Sequence, residues 1–180
     1  GAAGKPRQKS TLQQLKELLG NLTMQDFMRI LRSHKYPDEE GWRIDKGIKG
    51  TVCKHAGNSI TRPDSTTSSM IAKLAESPKE RIFLVSGSSN PCLSPYFPVF
   101  STMASLPSDY IKGGENYEPH SYWWKAEYLH RKAILCYPDA KKALSPLLEQ
   151  YERDLFVTFS RTGNVKSGKG YTSSSPNLIA

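Results

Sequence analysis

Between residues 51 and 100 the sequence is cut into short apolar runs, Gly50–His55, Ser68–Leu74, Arg81–Ser86 and Tyr96–Phe100. Gly, Pro, Ser, Asn and Asp fill the gaps. Runs of this length, bounded by turn formers, predict four successive β-strands. Pro63-Asp64 and the stretch Ser86–Pro91 supply the turn chemistry between them. The chain is therefore expected to be α+β, with mainly antiparallel strands in the middle and helices on either side. The sheet is where its chemistry is expected.

The flanks carry helical periodicity. Ser10 with Gln13 predicts a capped first helix, whose stripe Leu12, Leu15, Leu18 and Leu19 ends at Gly20. Thr23 with Asp26 predicts a second, burying Met24, Phe27, Met28 and Leu31. Arg29, Arg32 and His34 then fall on its outer side or at its C-terminal end. Residues 35–49 read as a loop anchored by Trp42. Residues 102–120, rich in Ser, Pro and Gly, read as a long connection. Ser121 is placed to cap a helix whose seam is Tyr122, Ala126, Leu129, Ala133 and Cys136, which makes Cys136 a core thiol. Pro138 is expected to end that helix. Ser145-Pro146 is expected to start another, burying Leu147, Leu148, Tyr151 and Leu155. Three segments result: a flexible basic start over 1–9, a domain over 10–159 and a flexible Gly/Ser/Lys-rich tail over 160–180.

The formal charge of +8 suits nucleic acid, an acidic partner or an acidic substrate without choosing among them. The basic residues are spread along the chain rather than gathered beside aromatics, and no nucleic-acid-binding signature occurs, so no nucleic-acid partner is expected. No run approaches the roughly 18 apolar residues of a membrane span, so no membrane partner is expected either. The sparse set Cys53, Cys92 and Cys136 predicts a reducing compartment, with the cytoplasm favoured.

The chemistry-bearing residues are scattered. There is no CxxC, HxH or HExxH spacing among Cys53, Cys92, Cys136, His34, His55, His120 and His130, so local spacing predicts no metal site. Cys53 and His55 would share one face of a strand, as a nucleophile and base or as a strand-end pair. Cys92, in the turn after Asn90-Pro91, would be an accessible thiol or a small packing residue. In the tail, Gly163 to Lys169 has the spacing of a phosphate loop, but Gly170 stands where Ser or Thr is needed and no helix pattern follows. That stretch is expected to be a solvated linker.

Four stretches together resemble one family. Thr51-Val-Cys-Lys-His-Ala56, then Thr66-Thr-Ser-Ser-Met-Ile-Ala72, then Asn90-Pro-Cys-Leu-Ser-Pro-Tyr-Phe-Pro98, then Tyr122-Trp-Trp-Lys-Ala-Glu-Tyr-Leu-His-Arg131 is similar in order and spacing to the secernin and cysteine-type dipeptidase family, over roughly residues 50–156. The resemblance implies part of the αββα sandwich of the N-terminal-nucleophile hydrolases. It implies hydrolysis of dipeptide amide bonds without metal or organic cofactor. In that family the thiol of an N-terminal cysteine attacks the carbonyl and its own α-amine is the base. The motifs belong to the family's C-terminal half, and residue 1 here is Gly.

The nucleophile is therefore expected upstream or on a partner chain, and no catalytic residue is expected in this chain. Lys54, His55, Thr67, Ser68 and Asn90 are expected to line the substrate site, by charge or by hydrogen bonding. The expected partners are the nucleophile-bearing portion and a peptide, with a homo-oligomer as an alternative. Half of a stacked-sheet domain leaves an apolar face open, which predicts association with another chain. The rival expectations are a non-catalytic interaction module on the same scaffold and, behind it, a basic nucleic-acid binder.

Overall fold

The computed structural model describes residues 4–35, 42–44, 51–56 and 64–161. Two helices, α1 (Gly4–Glu17) and α2 (Met24–Leu31), lead into a three-stranded sheet. Its strands are β1 (Ser69–Lys73), β2 (Ile82–Ser86) and β3 (Phe97–Phe100). A short α3 (Ser108–Ile111) precedes two long helices, α4 (Tyr122–Leu135) and α5 (Tyr137–Arg161). The architecture is α+β, as expected. No described helix is long and apolar enough to cross a membrane.

The sheet is an antiparallel meander in the order β1-β2-β3, so each strand pairs with its neighbour in sequence. Met70 opposes Val85, and Val85 opposes Phe97. Ala72 opposes Phe83, and Phe83 opposes Val99. Side chains alternate along a strand, so these residues share one face, and Ile71, Leu84 and Pro98 share the other. The second face carries one core cluster, in which Ile71, Leu84 and Tyr96 pack with Met28 of α2 and Leu155 of α5. A second cluster gathers Cys53, Cys92, Leu93, Ala133 and Tyr137, flanked by Trp42, Ile44, Ala140 and Leu144. The long helix α5 touches both, through Tyr137 at its start and Leu155 near its end.

Three of the four expected strands form. The first does not: residues 51–56 carry no strand, and the backbone bends at Val52 and Cys53. The burial still alternates, with Thr51, Cys53 and His55 inside and Val52 and Lys54 partly exposed. What differs is the partner of the backbone. Lys54 N donates to Thr66 Oγ1 and Ala56 N to Ser65 Oγ, both at 2.9 Å. These side-chain hydroxyls, with isolated backbone bonds to Ser33 and from Thr66, take the place of a neighbouring strand.

The helix α1 starts at Gly4, before the expected cap. Ser10 lies within it, and its hydroxyl donates to Lys35 O at 2.6 Å. The cap of α2 is as expected. Thr23 Oγ1 accepts from Asp26 N at 3.2 Å and Thr23 N donates to Asp26 Oδ2 at 3.0 Å, a reciprocal capping box. Those bonds to Thr23 hold the Asp26 carboxyl below its ordinary range. Replacing Thr23 with alanine is expected to cost about 1 kcal/mol, read as a shift in the denaturant midpoint at constant slope.

Periodicity misplaced several apolar side chains: Leu12 and Leu19 of the first stripe, Phe27 of the second helix, Cys136 and Leu147 are all exposed. Cys136 is exposed, because it caps α4 at φ −134°, ψ 48° and turns away from the helix seam. Leu147 is 49% exposed, because α5 runs unbroken through Pro146 instead of restarting there. Continuous packing of α5 across both clusters overrides the local helix-stop signal. The phosphate-loop spacing in the tail lies outside the described residues.

Candidate functional site

The best-formed site is the heart of the second cluster. His34 follows the exit of α2. Cys53 and His55 come from the segment 51–56, and Cys92 from a 3-10 turn, Pro91–Leu93. Short backbone bonds fix these segments side by side. Cys53 N donates to Ser33 O at 3.0 Å, Thr66 N to Lys54 O at 2.9 Å, and Asn90 N to Thr66 O at 2.9 Å. Asn90 itself sits at φ 54°, ψ 71°, in the left-handed region, where asparagine is tolerated better than most residues. That bend turns the 3-10 helix inward and buries Cys92.

The side chains converge. His34 Nε2 lies 3.0 Å from His55 Nε2, Cys53 Sγ 3.6 Å from it and Cys92 Sγ 3.3 Å. All four ligand atoms lie within 4.8 Å of one another, and all four residues are buried. Trp42 stacks on His34, ring centroids 3.8 Å apart and planes 6° from parallel, which fixes the imidazole's plane. The Tyr137 hydroxyl donates to Cys92 Sγ at 3.4 Å. His55 Nδ1 is buried and has no hydrogen-bond partner among the described residues.

The two thiols are unequal. Burial opposes ionisation of Cys92, but hydrogen bonds from Cys53, His34 and His55 outweigh it and hold its pKa well below the ordinary thiol value. The hydrogen bond to Cys92, together with burial, pushes Cys53 well above it. Burial lowers the pKa of His34.

A second polar network braces the same turn. His130 of α4 meets Ser89 Oγ through Nδ1 at 3.1 Å and Ser94 Oγ through Nε2 at 3.3 Å. Ser89 also donates to Glu127, which accepts from Arg131 Nε at 2.9 Å. Burial keeps the pKa of His130 below the ordinary imidazole value. The unfolded chain therefore takes up that proton first. Stability from a neutral His130 is full above about pH 6.5 and is lost as pH falls through the lower folded-state value. Melting temperatures are expected to drop between about pH 7.5 and about pH 5.5, and less so in His130→Gln; an equal drop in both proteins would contradict this.

The expected substrate-lining residues divide between inside and outside. His55 and Asn90 are buried, with His55 in the cluster and Asn90 Nδ2 donating to Ser89 Oγ at 3.3 Å. Lys54 is partly exposed and pairs with Asp64. Thr67 and Ser68 are exposed just before β1. The structure brings His55 and the Asn90 turn together and leaves Thr67 and Ser68 on the surface.

Sequence reasoning missed the role of His34 and the joining of Cys92 to His55. Their separations from His55, 21 and 37 residues, fall outside the local spacings that mark metal ligands. The alternation Cys53-Lys54-His55 was the available signal, since it puts a thiol and an imidazole on one face. Comparison with family models, curated proteins and solved structures finds no match for this chain.

Proposed function

We propose that this chain is the C-terminal portion, or a subunit, of a secernin-like cysteine dipeptidase, with the nucleophile supplied by another segment or chain. One observation favours it most. The sheet is apolar on both faces. One face packs against α2 and α5. The other carries Met70, Ala72, Phe83, Val85, Phe97 and Val99; Tyr110 and Tyr122 lie against Phe97, Phe83 and Val85 are half-buried, and the β1 edge is exposed among the described residues. Met70 is 61% exposed. A sheet apolar on both faces is built to lie between two layers. The nucleophile-bearing portion would supply the missing sheet and complete an αββα sandwich.

The resembling motifs also touch, each of the other three meeting the third. The first meets the third through His55 and Cys92, the second meets the third through Ser69 and Tyr96 at 2.6 Å, and the third meets the fourth through Ser94 and His130. In this reading Thr67 and Ser68, beside the paired Lys54, meet the peptide by hydrogen bonding and charge. His55 and Asn90 hold the turn behind them. The attacking thiol, its base and the scissile bond lie at the junction with the other portion. Co-expression of this chain with a nucleophile-bearing portion is expected to give a complex that hydrolyses dipeptides, while neither part does so alone. A folded complex without hydrolysis would overturn the enzyme reading and leave a non-catalytic module.

A further inference from the structure

We infer that His34, Cys53, His55 and Cys92 form a closed, four-coordinate site for one zinc ion, which staples the exit of α2, the segment 51–56 and the turn before β3 to one another. The site does not depend on the hydrolase assignment, which calls for no metal.

The three distances from His55 Nε2 are close to the edges of a tetrahedral zinc site, and all four ligand atoms lie within 4.8 Å of one another. Zinc bonds of about 2.3 Å to sulfur and about 2.0 Å to nitrogen set edges of roughly 3.3 Å between two nitrogens and roughly 3.6 Å between nitrogen and sulfur. The nitrogen pair here is 3.0 Å apart and the nitrogen–sulfur pairs 3.3 and 3.6 Å, so small outward movements accommodate the ion. Two thiolates and two neutral imidazoles also match the preference of zinc for sulfur and nitrogen. All four side chains are buried, and of the four Cys92 is the one that lines the neighbouring cleft, so an ion among them would be held by protein atoms.

The surroundings support coordination as well. The Tyr137 hydroxyl donates to the Cys92 sulfur, as an outer partner of a metal thiolate does. The stacked Trp42 holds the His34 ring. A cleft of about 590 Å³, lined by residues that include Met28, Arg32, Lys141 and Glu152, reaches Cys92 and gives an ion a route in. Four protein ligands leave no position for water or substrate, so the ion would be structural rather than catalytic.

The test is metal content and cobalt spectroscopy on the full chain. Protein produced with zinc and freed of loose ions is expected to hold one zinc per chain. Exchange for cobalt(II) should give intense tetrahedral d–d bands and a thiolate-to-cobalt charge-transfer band. Cys53→Ser should lose the charge-transfer intensity from one thiolate, and Cys136→Ser should keep zinc and spectrum unchanged. Because Cys53→Ser can fail to fold, the cobalt spectrum of the unaltered chain stands as an independent readout. A folded chain that takes up neither ion would overturn the inference. So would a non-reduced mass showing that both thiol hydrogens are gone, since Cys53 and Cys92 would then be joined as a disulfide.

Discussion

Replacing Arg32 with alanine is expected to cost about 3–5 kcal/mol of folding stability, a fall of about 10 °C in melting temperature for a chain of this size. Arg32 follows α2 and reaches three separate parts of the chain. Its Nε donates to Pro91 O at 2.9 Å, Nη2 to Ser94 O at 2.6 Å, and Nη1 to Glu152 Oε2 at 2.9 Å. The guanidinium also lies 4.8 Å from the centre of the Tyr96 ring. Glu152 accepts a further bond from Tyr96 N at 3.3 Å.

The two side chains are only 19% and 11% exposed. Truncating the arginine would strand a buried carboxylate and two carbonyls, and that loss sets the size of the effect. The exposed pair Arg153–Glu149 is worth less than about 1 kcal/mol. Arg153→Ala is therefore the proper control. Arg32→Met combined with Glu152→Met should recover part of the loss, since no lone charge remains. Equal melting shifts in Arg32→Ala and Arg153→Ala would contradict this account of the turn.

Chelation is expected to have an effect of comparable size. Binding energy at a structural zinc site is folding energy, because the unfolded chain offers no preformed site. The melting temperature of the zinc-loaded chain should fall by at least about 10 °C when a strong chelator is added. Cys92→Ala should melt low from the outset and show no response to the chelator. Cys136→Ala should behave as the unaltered chain. The contrast separates metal loss from simple core damage, since a cavity at Cys92 would leave the chelator's effect intact. A chelator that strips bound zinc without moving the melting temperature would show that the ion does not brace the fold.

Much of the fold was legible because local chemistry decided it. The capping box at Thr23, the Ser121 cap of α4 and the punctuated runs that became β1, β2 and β3 each depend on neighbours a few residues away. Elements set by distant contacts were misread. The segment 51–56 has the burial rhythm of a strand, yet its backbone bonds run to Ser33 O, Thr66 Oγ1 and Ser65 Oγ. Only the tertiary arrangement supplies those partners. Helix α5 ignores Pro146 because Tyr137 and Leu155 anchor it in two different cores.

The candidate site was half visible. Cys53 and His55 stood out as a same-face pair, and Cys92 as a thiol in a turn. Their meeting with His34 depends on three chain segments laid side by side. No spacing rule records such a meeting, because the ligands come from different segments rather than from one loop. The expected absence of a metal rested on missing local pairs, and the assembled cluster removes that ground.

The central claim is that these distant segments close around one ion. X-ray absorption at the zinc edge of the purified full chain tests it most directly. Two sulfur scatterers at about 2.3 Å and two imidazole nitrogens at about 2.0 Å, with ring scattering beyond them, are the expected result. A first shell of nitrogen and oxygen alone, with no sulfur, would contradict it.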